Sequence, residues 1–190
     1  MNRIILIMIA TAIIAGCTEY KMKHCKCDDM SAQEAVTGLI VGTAIQNNEN
    51  DSLVSAWETG SGVITSNDNN IFGIVNNDGS PIDFSKYSVL FHRTFSGGCR
   101  VIFLRDVEKD SNAKKYVYTV NNLRCGYCEE CFININLVII PKIENGYYVE
   151  IIEKNSQWIH HKIKEESLMG TYIFKEDTDG SWKLESETKH

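Results

Sequence analysis

Apolar and polar residues alternate along much of this chain after Pro81. From Cys131 onward, Cys131, Ile133, Ile135, Leu137 and Ile139 fall on one side of an extended chain, while Asn134 and Asn136 fall on the other. Successive strand side chains point to opposite faces, so the first set is expected in the core and the asparagines in solvent. Short β-branched or aromatic runs bounded by turn residues recur at 87–92, 99–107, 115–120, 132–141, 147–153, 158–164, 171–175 and 182–185. Each predicts a strand. Asn145-Gly146 and Asp179-Gly180 tolerate the positive φ of a tight turn and predict hairpins. Cys99 shares a face with Val101 and Phe103, which points to a buried bridge from Cys99 into the cysteines at 125–131.

The pattern before Pro81 is different. Ser31-Ala32-Gln33-Glu34 has the spacing of a capping box, and Ala32, Ala35, Val36, Leu39, Ile40 and Ile45 then recur near helical spacing. A helix over about 32–46 is predicted, with Gly38 and Gly42 allowing close packing on a sheet; two glycines also weaken a helix, which leaves a strand as the alternative. Residues 47–80 are rich in Asn, Asp, Ser and Gly and read as turns around short strands at 63–65 and 71–75. Their acidic-amide loops lack the full ligand spacing of a calcium loop. The expected fold is mainly β, an antiparallel β-sandwich or curled sheet with one N-terminal helix.

The first residues are an address. Met1-Asn2-Arg3 is a short positive region, the run from Ile4 to Ile14 is apolar, and Ile14-Ala15-Gly16-Cys17 follows. A spanning helix needs roughly 20 apolar residues, about twice this run, so the segment reads as an export signal. Ile14-Ala15-Gly16-Cys17 resembles the lipobox of bacterial lipoproteins, and the resemblance implies cleavage before Cys17 and lipid on its thiol. Each buried methylene contributes about 0.8 kcal/mol, so a doubly or triply acylated Cys17 would hold the protein on a membrane almost permanently. The chain then divides into a signal peptide (1–16), a lipidated tether (17–30) and a single mainly-β domain (31–190). Localisation is expected in the cell envelope. Thr18 stands where inner-membrane retention often uses Asp, so in a Gram-negative host the sorting rules point to the outer membrane.

Removing residues 1–16 leaves 174 residues and takes away Arg3, moving the formal charge from −6 to −7. That length normally makes one domain with a usable core. The acidic balance, without a basic stripe, argues against nucleic acid as a partner. Six cysteines remain beside Cys17: Cys25, Cys27, Cys99, Cys125, Cys128 and Cys131. An even number in an exported chain reads as disulfides, with the pairing left open.

Cys125-Gly126-Tyr127-Cys128 has the spacing of a thiol-disulfide redox motif, but a strand pattern follows it where a low-pKa cysteine needs a helix N-terminus. With Cys131, Cys25, Cys27 and His24 there are soft ligands enough for zinc or an iron–sulfur cluster, which would require reduced thiols in an oxidising compartment. His92, His160, His161 and His190 stand in no hydrolase or metalloprotease motif. No catalytic residue, metal or cofactor is therefore assigned. Trp57, Trp158 and Trp182 are residues that could line a binding surface, although core packing is their commoner use.

Ile82-Asp83-Phe84-Ser85-Lys86, then Ser96-Gly97-Gly98, then Val138-Ile139-Ile140-Pro141-Lys142 resemble the C-terminal domain of the protease-complex subunit PrcB. The likeness covers about residues 82–152, which are also similar to small bacterial lipoproteins with cysteines at like places. It implies a small β domain that binds and stabilises a partner, with no catalytic residues to carry over. Cys99 stands where that family often has Tyr, and the cluster from Cys125 to Cys131 is extra. The expected function is thus a non-catalytic envelope lipoprotein presenting a disulfide-stapled β domain to a protein, such as a protease or another envelope complex. The alternatives are a thiol-redox or metal protein using Cys125, Cys128 and Cys131, and a glycan or small-ligand binder.

Overall fold

The computed structural model describes Cys27, Met30 and residues 33–46, 60–66, 73–126, 131–159 and 162–190. The export signal, Cys17, His24, Cys25, Trp57, Cys128 and the pair His160-His161 lie outside the described residues. Among those described, the chain forms β1 (Ala35–Gly38), β2 (Gly42–Gln46), β3 (Ser61–Ile64), β4 (Ile74–Asn76), β5 (Tyr87–Gly97), β6 (Arg100–Asp110), β7 (Lys115–Cys125), β8 (Cys131–Pro141), β9 (Tyr148–Ile159), β10 (Lys162–Glu176) and β11 (Trp182–Lys189). The mainly-β expectation holds.

Two sheets are built. One is mixed, in the order β1-β6-β7-β9-β10-β11, with β1–β6 and β7–β9 parallel. The other runs β3-β5-β8-β2-β4 with antiparallel neighbours throughout.

The expected helix over 32–46 is replaced by β1 and β2, which belong to different sheets. Gly38 shows why. It takes φ +71, and a Cβ there would lie 2.2 Å from the Val107 carbonyl oxygen, so the position needs glycine and breaks a helix. Leu39 N–H then donates to Val107 O at 2.8 Å and Val41 N–H to Ile139 O at 2.9 Å. Those bonds carry the chain from β6 in one sheet to β8 in the other, stitching the sheets along one side. A strand that switches sheets at a bend is a usual way to close such a corner.

Three apolar clusters follow from the alternation. Between the sheets, Leu90 of β5 and Val138 and Ile140 of β8 meet Val107 of β6, Tyr116, Tyr118 and Val120 of β7, Val149 and Ile151 of β9, and Phe174 of β10. The opposite face of β5 and β8 is covered as well: Val89, Phe91, Leu137 and Ile139 pack under Ala44, Ile74 and Ile82, with Phe84 beside them. That is why β5 is buried without a break from Ser88 to His92. The third cluster lies on the outer face of the mixed sheet, where Ile102, Leu123 and Cys125 are covered by Cys27 and Met30 from the segment read as a tether. Burying each large aliphatic or aromatic side chain contributes about 1.5–3 kcal/mol, so all three clusters matter to stability.

Two local expectations change. Asn145-Gly146 is a turn, but it joins β8 to β9, which lie in different sheets, so no hairpin forms there. Asp179-Gly180 does close a hairpin, with Glu176 opposite Trp182. The single strand predicted over 158–164 is divided: β9 ends at Ile159, β10 begins at Lys162, and Ile159 pairs with Lys162 across the break. β11 is an exposed edge carrying Lys183, Glu185, Glu187 and Lys189, charges that oppose edge-to-edge pairing with another chain.

Gly38→Ala is expected to lower the unfolding free energy by about 2 kcal/mol, because it combines positive φ with a backbone clash. A urea midpoint measurement checks this; an unchanged midpoint would mean that the corner is not held as described.

Candidate functional site

The inward faces of four strands change character halfway along. On β5, Leu90 gives way to His92, Thr94 and Ser96, and on β8, Ile140 and Val138 give way to Asn136 and Asn134. On β7, Tyr118 and Val120 are followed by Asn122, and on β9, Val149 and Ile151 are followed by Glu153, Asn155 and Gln157. Register brings these changes to one end: His92 lies opposite Asn136, and Asn122 opposite Asn155. The space between the sheets is therefore apolar at one end and polar at the other.

This corrects the expectation that Asn134 and Asn136 face solvent while Ile133 is in the core. Asn136 is 0% exposed and Ile133 is 58% exposed. Apolar Ile135, Leu137 and Ile139 do face a core, but it is the outer one.

Asn136 is satisfied from both sheets. Its side-chain oxygen accepts from Arg105 Nε at 2.8 Å and from Asn134 Nδ2 at 2.9 Å. Its amide donates to Thr94 Oγ1 at 3.2 Å and to the His92 carbonyl at 3.3 Å. Its own carbonyl accepts from the Tyr118 hydroxyl at 3.2 Å, and burial pushes the Tyr118 pKa up, keeping it a donor. Arg105 is itself mostly buried and reaches Glu34 at 3.3 Å at the rim.

A second chain of polar contacts crosses the sheets nearby. Ser61 of β3, opposite His92 in register, shares a 2.6 Å hydrogen bond with His92 Nδ1. Glu153 Oε2 lies 3.2 Å from His92 Nε2, and Asn122 Nδ2 donates to Glu153 Oε1 and to Asn155 Oδ1, each at 3.0 Å. The contact at Nε2 has ion-pair distance without hydrogen-bond alignment, so that buried nitrogen keeps donor capacity. A carboxylate facing Nε2 favours the proton there, which leaves Nδ1 of the neutral ring to accept from Ser61.

Ser61, His92 and Glu153 are the residue types of a nucleophilic triad, and neither the serine nor the glutamate was singled out in the sequence. A nucleophile must meet its substrate. Ser61 is only 2% exposed, so its hydroxyl orients the imidazole and does not present itself for attack.

His92 and Glu153 form part of the wall of a cleft of about 360 Å³, together with Tyr172, Arg93, Phe95, Glu187 and Lys189. The His92 and Tyr172 rings lie 5.1 Å apart in a tilted arrangement. Burial, and then the Glu153 and Glu187 carboxylates, hold the Tyr172 phenol above its ordinary pKa, so it stays a donor. Arg93 lies over the Phe95 ring at 4.7 Å, and Lys189 pairs with Glu187 at 2.8 Å.

The cysteines lie elsewhere. Cys27 and Cys125, 98 positions apart in sequence, form a disulfide with Cα atoms 5.8 Å apart. Cys99 is also disulfide-bonded, and its N–H donates to Cys125 O at 2.8 Å. It packs beside Ile102 and Leu104, so the face predicted from Val101 and Phe103 was the wrong one. Cys131 opens β8, while its side chain, like Cys25 and Cys128, lies outside the described residues. Cys125 closes a strand, is bonded and is buried, which is not the setting of a reactive thiolate. Among the described residues, no three His, Cys, Asp or Glu side chains converge as metal ligands. Trp158 and Trp182 pack against the outer and central clusters respectively.

Asn136→Ala would leave Arg105 short of a buried acceptor and is expected to cost about 2–3 kcal/mol in chemical denaturation; a loss well under 1 kcal/mol would contradict the arrangement. A fluorophosphonate probe should leave Ser61 unlabelled in the folded protein, and labelling that Ser61→Ala abolishes would establish a nucleophile instead.

No family model, curated protein or solved structure matches this chain.

Proposed function

We propose that this chain is a non-catalytic lipoprotein of the cell envelope, held to the membrane by lipid on Cys17, that presents its stapled β domain to a protein partner. The observation that carries the reading is where the staple sits. Cys27 is bonded to Cys125 on the outer face of the mixed sheet, with Met30 buried beside it and Arg100 Nη1 donating to Met30 O at 3.0 Å. Cys27 lies ten residues after Cys17 in sequence, a distance that even fully extended chain cannot make longer than roughly 35 Å. A domain tied by lipid on Cys17 then works close to the bilayer, and its partner belongs there too.

A contact surface for that partner is available on the antiparallel sheet. Ile82 and Phe84 cover one end of its outer face. At the other end Phe95 and Ile133 are cross-strand partners, 54% and 58% exposed. Adjacent large apolar side chains left in water are a common mark of a protein contact. Both lie within the stretch resembling the PrcB domain, so a protease complex is the partner class this reading favours.

The test is cross-linking in intact cells followed by purification of the lipidated protein. Wild type should bring down a defined envelope protein, Cys17→Ser should lose both lipid and membrane fractionation, and Ile133→Asp should cut partner recovery at least about tenfold while leaving the unfolding midpoint unchanged. A Cys17→Ser protein that still partitions with membranes would refute the anchor. Undiminished recovery with Ile133→Asp would refute the surface.

A further inference from the structure

We infer that two copies of this chain pair through β8, the uncovered edge of one copy adding antiparallel to the same edge of the other. The pairing itself does not depend on the partner or the anchor; only its effect on the partner surface rests on the function proposed above.

The open edges of the two sheets differ in how they are guarded. An unpaired edge offers N–H and C=O groups to any other strand, and short length or charged side chains discourage that pairing. β1, β3 and β4 are at most four residues long. β11 is long but carries Lys183, Glu185, Glu187 and Lys189. β3 covers β5 as far as His92, and the uncovered stretch then begins with Arg93; that of β6 begins with Arg100. β8 has no such guard. β2 pairs with it only at Val138 and Ile139, and from Cys131 to Leu137 it holds no charge and no proline, only Cys, Phe, Ile, Asn and Leu. A strand of that composition pairs readily with its own kind.

The backbone of this stretch faces the right way. Val41 N–H donates to Ile139 O from the side away from β5. Peptide groups alternate in direction along a strand, so the N–H and C=O of Ile135 and Ile133 point to that side too. Among the described residues, no backbone group meets them, and Ile133 is 58% exposed. An identical strand fits this edge because antiparallel pairing about a two-fold axis is self-complementary. With the axis at Asn134, Ile133 of one copy stands opposite Ile135 of the other, and each pair exchanges both backbone bonds. The pairing runs from Cys131 to Leu137 and stops where β2 takes over at Val138. The axis stands perpendicular to the sheet, so both outer faces lie on one side and the two Phe95–Ile133 pairs join into one larger apolar surface for the partner. A single strand pair is a small interface, so the expected affinity is micromolar.

The experiment is sedimentation velocity on the full lipidated chain with micelles in excess of protein, and on Cys17→Ser in plain buffer, with hydrogen-exchange NMR of the Ile133 and Ile135 amides. Both forms should pass from monomer to dimer as concentration rises through the micromolar range, and the two amides should become protected in step. Ile133→Pro removes an edge donor that has no partner within the chain, and should weaken dimerisation at least about tenfold. Phe95→Asp alters the face and not the edge, so the dimer should persist within about twofold. The assignment is overturned if the chain stays monomeric at hundreds of micromolar, if the dimer is disulfide-linked, or if the two amides exchange as fast in the dimer as in the monomer. Protection of those amides only when another protein binds the monomeric chain would give the edge to a foreign strand and equally overturn it. A monomer that still loses its partner with Ile133→Asp would sink the dimer alone, and a dimer without a recoverable envelope partner would sink the proposed function alone.

Discussion

The whole arrangement turns on a fully buried asparagine amide between two sheets. An unpaired buried amide costs several kcal/mol, so Asn136 can occupy that place only because Arg105, Asn134 and Thr94 meet its side chain and Tyr118 meets its carbonyl. Those partners come from β6, β8, β5 and β7, and their agreement fixes how the two sheets sit on each other. A slip of one residue in β8 would bring Leu137 or Ile135 against Arg105 and turn Asn136 toward the apolar outer cluster. The polar seam therefore specifies register at the end where apolar packing no longer does.

That division of the interior also separates stability from the site. The apolar half, from Leu90 to Phe174, supplies the burial that holds the sheets together. The polar half carries the fixed imidazole of His92 to the wall of a cleft. The staple lies on neither: alternation along β7 sends Asn122 inward and Cys125 outward, so the staple and His92 sit on opposite faces of the mixed sheet.

Much of the fold was legible in the chain. Strands from Tyr87 to Lys189 follow from β-branched and aromatic runs between turn residues, and Asp179-Gly180 marks a real hairpin. What escaped was decided by tertiary structure. Gly38 and Gly42 sit at helical spacing in a helix-like apolar pattern, yet the contact of Gly38 with the Val107 backbone and its positive φ demand a corner between sheets. Asn136 looked like a solvent residue because period-two reasoning assigns one wet face to a strand, and β8 has none over its central length. The seam had a signal that only several strands read together provide, since β5, β7, β8 and β9 each pass from apolar to polar on alternate positions. Ser61 carried no mark of its own beyond a glycine on either side, because its role exists only through its place opposite His92.

The central claim is that Ser61 and Glu153 flank His92 at its two nitrogens, Ser61 by a hydrogen bond at Nδ1 and Glu153 at ion-pair distance from Nε2, so that the ring is held in one orientation beside a buried serine. Nitrogen-15 NMR of the imidazole, recorded where the ring is neutral, tests it most directly. The account predicts a single tautomer with the proton on Nε2 and a slowly exchanging Ser61 hydroxyl proton. A proton on Nδ1, or a ring averaging between the two tautomers, would contradict it.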